Sequence, residues 1–201
     1  IGESWELSAV PQSVSIVEEG PLKETSLQEL IEVHKGTLVG EKVYKHFGNT
    51  FPLLFKFIDA RQDLSVQLHP DDTLAQQRHD SFGKTEMWYI MNAEVDARLI
   101  LGFNKKIDKG DYDWAMSADA ITDILHSEDV RQGDAFFIAP GTVHAIGAGV
   151  LLAEIQQTSD ITYRIFDWNR PDTNGELREL HTEEALDAID FDSEDAKIAY
   201  E

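Results

Sequence analysis

At 201 residues, 42% of them hydrophobic and 27% charged, the chain has the make-up of one compact domain with a substantial core. A net charge of −21 argues against a nucleic-acid partner, because phosphate backbones are bound by cationic surfaces. The absence of cysteine excludes disulfides and thiolate metal sites and fits a reducing cytoplasm, the expected location; no apolar run of roughly 18 residues could span a bilayer.

In chain order, the first readable element is a helix. Ser26-Leu27-Gln28-Glu29 is a capping box, and Leu27, Leu30, Ile31 and His34 share one face at helical spacing. Further short helices are predicted over Glu41 to Phe47, Asp72 to His79 and Tyr112 to Ala118. From Leu64 to His69, the apolar Leu64, Val66 and Leu68 alternate with Ser65, Gln67 and His69, so a strand would carry the three polar residues on one face. Lys84, Glu86, Trp88 and Ile90 alternate in the same way, as do Leu152, Glu154 and Gln156, and then Asp160, Thr162, Arg164 and Phe166. A last helix starts at Thr182, where Glu183 and Glu184 suit its positive end and Ala185, Leu186 and Ile189 form its apolar side. Four strands with polar groups on one face predict a mainly β barrel holding a polar site, with a few peripheral helices.

Gln67 and His69, two apart on one strand, converge on a point that Glu86 could reach from a neighbour. In Gly133 to His144 a Pro140-Gly141 turn ends one strand and aims His144 at the start of the next. Gln67, His69, Glu86 and His144 make a mixed nitrogen and oxygen set suited to one borderline divalent ion, zinc first. With a single carboxylate the site stays net positive and acts as a Lewis acid. His34, His46, His79, His126 and His181 are expected at the surface or in ordinary hydrogen bonds.

Gly133 to His144 is similar to the second cupin motif, with one extra residue before the proline. Four ordered segments, Val66 to Asp72, Gly83 to Tyr89, Ala139 to Ala145 and Ser159 to Trp168, resemble type I mannose-6-phosphate isomerases. Gly2 to Glu6 and Leu180 to Phe191 are similar to the family's flanking segments, so the resemblance runs over nearly the whole chain. It implies a cupin-type β-barrel or jelly roll spanning residues 1–201 as one catalytic domain. The family's earlier Trp-Gly-Gly segment and second, smaller β domain are not seen in this sequence. The resemblance also implies one zinc per chain held by Gln67, His69, Glu86 and His144, with Arg164 as the catalytic arginine and Asp160 beside it. Lys84 would match a pocket lysine and Ser65 a hydroxyl near the substrate.

The implied reaction interconverts mannose 6-phosphate and fructose 6-phosphate through an enediolate. Arg164 would stabilise that anion, while Lys84 and Ser65 would face the substrate's anionic end. Asp160 is the first choice of general base, with His69, Glu154 or a zinc-bound water as alternatives; Glu154 also counts among the substrate-binding residues. The expected partner is a small sugar phosphate, with neither nucleic acid nor membrane involved. Two rivals stand beside this reading. One is a non-catalytic, metal-containing sugar-binding cupin module. The other is a cupin iron oxygenase, which a glutamine ligand disfavours.

Overall fold

The computed structural model describes residues 2–171, 174–192 and 196–198. Strand β1 (Gly2–Leu7) is followed by helices α1 (Leu27–His34), α2 (Gly36–Val39) and α3 (Glu41–Phe47). Next come β2 (Leu53–Ala60), β3 (Val66–Leu68), α4 (Asp72–His79), β4 (Glu86–Ala93) and β5 (Arg98–Phe103). Helix α5 (Lys109–Ser117) and a 3₁₀ turn over Ile121–Ile124 lead into β6 (Leu125–Asp129), β7 (Ala135–Ile138), β8 (His144–Ile146) and β9 (Val150–Gln157). Strand β10 (Tyr163–Phe166), helix α6 (Thr182–Ala188) and strand β11 (Lys197–Ile198) complete the described elements.

All strand pairs are antiparallel and form two sheets. One runs β1-β2-β9-β4-β7-β11 and the other β10-β3-β8-β5-β6. Facing each other, they make the cupin-type jelly roll expected from the sequence. The expected capping box of α1 is present: Glu29 N–H donates to Ser26 Oγ at 3.2 Å, and Ser26 N–H donates to Glu29 Oε2 at 2.8 Å. Helices α3 and α4 have the predicted limits. Helix α5 starts a turn earlier than predicted, because Asp108 and Asp111 form a second, reciprocal capping box.

The core lies in two parts. Between the sheets, Ile58, Ile90, Leu99, Phe136 and Leu152 pack together at one end of the barrel. On the outer side of the second sheet, Val66, Leu68, Ala145 and Ile165 pack under Tyr112 of α5 and Ile124 of the 3₁₀ turn. That sheet is therefore covered on both faces, and its inward residues are free to be polar only where the interior core stops. Each inward-facing row changes character at that level. On β9 Val150 and Leu152 give way to Glu154 and Gln156; on β4 Ile90 and Trp88 lead to Glu86; on β8 Ile146 precedes His144 in space. One end of the barrel is oily and the other ionic.

Candidate metal centre and its pocket

The ionic end is built by register. Across the second sheet, Arg164 of β10 pairs with Gln67 of β3, which pairs with His144 of β8, which pairs with Leu101 of β5. Across the first, Lys56 of β2 pairs with Glu154 of β9, which pairs with Trp88 of β4. The two rows meet where the His144 ring packs edge-on against Trp88, with centroids 5.3 Å apart.

Glu86 spans the gap between sheets. Its Oε1 lies 3.4 Å from His69 Nε2 and its Oε2 lies 3.6 Å from His144 Nε2, all three residues being 1% exposed. The outer nitrogen of each ring is already engaged: His69 Nδ1 is 2.8 Å from the Ile161 carbonyl and His144 Nδ1 is 2.9 Å from the Thr142 carbonyl. A neutral imidazole whose Nδ1–H donates to a carbonyl presents the Nε2 lone pair inward, the tautomer that metal-ligating histidines adopt. While Lys84 Nζ meets Glu86 Oε1 at 2.8 Å, Glu86 Oε2 and His144 Nε2 are buried without a hydrogen-bond partner. Such orphaned acceptors are costly unless an ion satisfies them. His69, Glu86 and His144 can thus hold one metal ion, their ligand atoms lying within 4.8 Å of one another.

Electrostatics keep this set in its ligating state. Burial holds the His69 imidazolium off, pushing its pKa down to about 4, with the Lys84 charge adding to the effect and Glu86 opposing it. Burial also lowers His144, against the pull of Glu86. Burial alone would raise Glu86, but Lys84 and His69 outweigh it and hold the carboxyl well below the usual range. Lys84 Nζ sits 2.8 Å from Glu86 Oε1 and 3.4 Å from His69 Nε2. Although buried, it is held charged by Glu86 and Glu154, which outweigh desolvation.

The centre opens into a cavity of about 730 Å³, within the range of small-molecule sites. Gln67, Ser65, Lys84, Glu154 and Arg164 all line it. Ser65 Oγ donates to Gln67 Oε1 at 3.3 Å. Glu154 Oε2 accepts from Trp88 Nε1 at 2.8 Å, and its Oε1 faces Lys56 Nζ at 3.4 Å. Burial and the nearby Glu86 charge raise the Glu154 pKa, with Lys84 and Lys56 opposing.

Known proteins carry the same organisation. The type I phosphomannose isomerase catalytic domain matches residues 1–100. Mannose-6-phosphate isomerase ManA of Bacillus subtilis is 40% identical over 204 residues, covering 96% of this chain and 59% of that protein. The Streptococcus mutans mannose-6-phosphate isomerase is 39% identical over 188 residues, covering 94% of this chain and 58% of that protein. The crystal structure of the Bacillus subtilis enzyme superimposes with a TM-score of 0.88 at 36% identity, over 98% of this chain and 62% of that one. The chain belongs to the type I phosphomannose isomerase family. It spans about three-fifths of the length of the relatives it matches. A zinc-bound mannose 6-phosphate isomerase, 17% identical, shares the fold with a TM-score of 0.70 over 98% of this chain and 69% of that one.

For a phosphomannose isomerase domain, the residues singled out in the sequence fall into place unevenly. His69, Glu86 and His144 come together, and Gln67 stands between His144 and Arg164 in the strand register. One expectation needs correction. Asp160 does not share a strand face with Arg164: β10 starts only at Tyr163, leaving Asp160 exposed in the preceding loop and outside the cavity lining. Lys84 lines the cavity, and its Nζ also pairs with Glu86 at 2.8 Å. Arg164 lines the cavity; its Nη1 donates to the Glu179 carbonyl at 3.0 Å, and its buried Nε has no partner. Among the other histidines, His79 bonds the Tyr163 hydroxyl at 2.7 Å and His181 Nδ1 accepts from Arg164 N–H at 3.2 Å, both in ordinary structural roles.

Sequence reasoning missed Lys56, Arg170 and Arg178, all of which line the cavity. Lys56 was legible in principle, as the inward residue two before Ile58 on an alternating strand. The two arginines lie on the loop after β10, where no periodicity reports which way a side chain points.

Proposed function

We propose that this domain is the catalytic core of a zinc-dependent aldose–ketose isomerase, interconverting D-mannose 6-phosphate and D-fructose 6-phosphate. The observation that carries the reading is a buried His69–Glu86–His144 set, both Nε2 atoms turned to one carboxylate, opening on a polar cavity lined by cations. Gln67 is assigned as the fourth ligand, from its place beside His144. The ion, when bound, polarises sugar oxygens and stabilises negative charge on them.

The conversion moves one proton from C2 of the aldose to C1 and a second from O2 to O1, through an enediolate whose charge rests on O1 and O2. A carrier for the first proton must be unprotonated at rest yet basic enough to accept it. Glu154 fits: it is buried, its pKa is raised, and it has one oxygen outside any hydrogen bond. This favours Glu154 among the alternatives over Asp160, which is exposed outside the cavity. Arg164 is assigned to the enediolate, because its unpartnered Nε–H costs no reorganisation when charge develops. Lys84, charged and beside Glu86, offsets the carboxylate's charge and keeps the site favourable to an oxyanion. Ser65 orients Gln67 through its hydroxyl. The reading takes residues 1–201 as one cupin-type unit and, with no cysteine, a reducing cytoplasm as its setting.

A coupled assay following fructose 6-phosphate from mannose 6-phosphate, with metal analysis of the same sample, tests the proposal. Turnover that scales with zinc content is expected. Full zinc occupancy without turnover would favour the non-catalytic sugar-binding module instead, and equal turnover in stripped and loaded protein would overturn the metal's role.

A further inference from the structure

The inward row of β2 reads Leu54, Lys56, Ile58 and Ala60, and its three apolar members are at most 5% exposed. A lysine in such a row is costly unless its charge is paired, and for stability alone an apolar side chain would serve as well. Register builds a cage around it. Trp5 of β1 pairs with Lys56, Lys56 with Glu154 of β9, and Glu154 with Trp88 of β4, giving aromatic, cation, anion and aromatic on four neighbouring strands. Lys56 Nζ lies 5.0 Å from the Trp5 ring centroid, 3.3 Å from Glu3 Oε1 and 3.4 Å from Glu154 Oε1, and its side chain is 10% exposed. Glu3 is held in turn, because its Oε1 accepts from Trp5 Nε1 at 2.7 Å.

The two oxygens of Glu154 are in different situations. Oε2 accepts the Trp88 indole N–H at 2.8 Å. Oε1 is buried with no hydrogen bond, and Lys56 stands beyond the usual hydrogen-bond length from it. The ammonium group is near enough to act on Oε1 through its charge and too far to occupy the lone pair that must take a proton. Glu3, Lys56 and Glu154 all line the cavity. Taking the proton from C2 makes Glu154 a neutral acid, and the electron pair of the broken C–H bond leaves negative charge on O1 and O2. Giving the proton to C1 restores the carboxylate. Lys56 keeps its own protons throughout, and it faces negative charge in both states: Glu154 before the transfer, the enediolate during it.

We propose that Lys56, anchored by Glu3 and Trp5, is a positioning residue for the isomerisation, keeping Glu154 Oε1 free for the C2 proton and supplying the counter-charge as negative charge passes from Glu154 to the sugar. This deepens the isomerase reading and rests on Glu154 as its proton carrier. Charged groups from several elements act on Glu154. Burial and Glu86 of β4 favour its acid form, while Lys84, just before β4, and Lys56 of β2 oppose them; Glu3 of β1 stands behind Lys56.

The test is a carboxyl NMR titration of the zinc-loaded chain labelled at its glutamate side chains, with E154Q locating the Glu154 signal, alongside steady-state rates. In K56M, Glu154 should titrate at higher pH, because a cation favouring its carboxylate is gone. In E3Q it should titrate at lower pH, because Lys56 then answers to one carboxylate in place of two. K56M should lower kcat by about 10- to 100-fold, a part of the roughly 10²- to 10⁴-fold that a positioned base supplies, with KM and zinc content kept. K56R should recover most of the rate. Glu3 is 35% exposed, so E3Q folds and decides the matter even where K56M does not. A Glu154 titration that either variant leaves unmoved, or that both move the same way, would overturn the proposal, as would a raised KM with unchanged kcat in K56M. Opposed shifts in a protein without turnover would leave the Lys56–Glu154 pairing standing and remove the isomerase reading.

Discussion

Replacing Glu86 by glutamine in chelator-treated protein isolates the electrostatics of the centre from metal binding. The substitution keeps the shape and removes the charge that holds Lys84 at 2.8 Å, leaving an ammonium group in a site where lysine is 5% exposed. Losing one partner of a buried ion pair costs about 3–5 kcal/mol. The cost has a ceiling, since Lys84 can escape by losing its proton, which for an ordinary lysine at pH 7 costs roughly 5 kcal/mol. Both routes give the same range, a large share of the roughly 5–15 kcal/mol that keeps a domain folded. In urea denaturation the midpoint should fall by about 1–2 M, using the usual slope for denaturant unfolding. The double variant K84M/E86Q removes both charges and should recover most of the loss, because an apolar replacement of a buried pair is close to neutral. If E86Q alone costs less than about 1 kcal/mol, or the double variant is no more stable than the single, then Lys84 and Glu86 are not a buried charged pair in solution.

Other outcomes follow from the same geometry. H69A, H144A and Q67A should each lower zinc content and turnover together by metal analysis and coupled assay, whereas R164A should keep its zinc and lose about 10²- to 10³-fold in kcat. In metal-stripped protein, His69 has a folded pKa of about 4, below its ordinary value of 6.5. The unfolded chain therefore binds the proton first, and the stability that this residue contributes is full above pH 6.5 and lost as pH falls towards 4. Unfolding free energies from urea titrations across that window should decline by about 3 kcal/mol in total and should decline less in H69Q. A Cβ at Gly83 would lie 2.5 Å from backbone atoms of Asp71 and Asp72, so G83A should destabilise by about 1–3 kcal/mol and displace the strand start that carries Lys84 and Glu86. Thermal melting and zinc content, measured together, check it.

The sequence exposed the site wherever a strand period carried it. Ser65, Gln67 and His69 share a face because their Cβ atoms must, and the same rule brought Glu86, Glu154 and Arg164 inward without knowledge of the fold. The period failed at its ends. Extending the β10 alternation back to Asp160 assumed a strand three residues longer than the one that forms. There the chain turns to let the Ile161 carbonyl meet His69 Nδ1, and that hydrogen bond, made across 92 residues of sequence, has no local signature. The pairing of Lys84 with Glu86 was not legible, since a lysine two residues before a glutamate reads the same whether or not the two side chains meet. Arg170 and Arg178 lay beyond reach for a different reason: loop residues point where tertiary contacts put them, and Asp167 is what aims them.

The strongest consistency between levels lies in where the barrel interior changes from apolar to ionic. A buried Glu86, Lys84 and Glu154 would each be ruinous alone, yet they face one another because the register sets Glu154 beside Lys56 and Trp88, and Glu86 beside Gln156. Shifting β4 by a single residue would turn Glu86 and Trp88 to the outside and bring Met87 and Tyr89 inward, destroying the core layer and the centre at once. The apolar layer below, with Ile90, Phe136 and Leu152, therefore does more than supply stability. It fixes the register that brings His69 and His144 from one sheet against Glu86 from the other, so the geometry of the candidate centre is held by residues that never touch it.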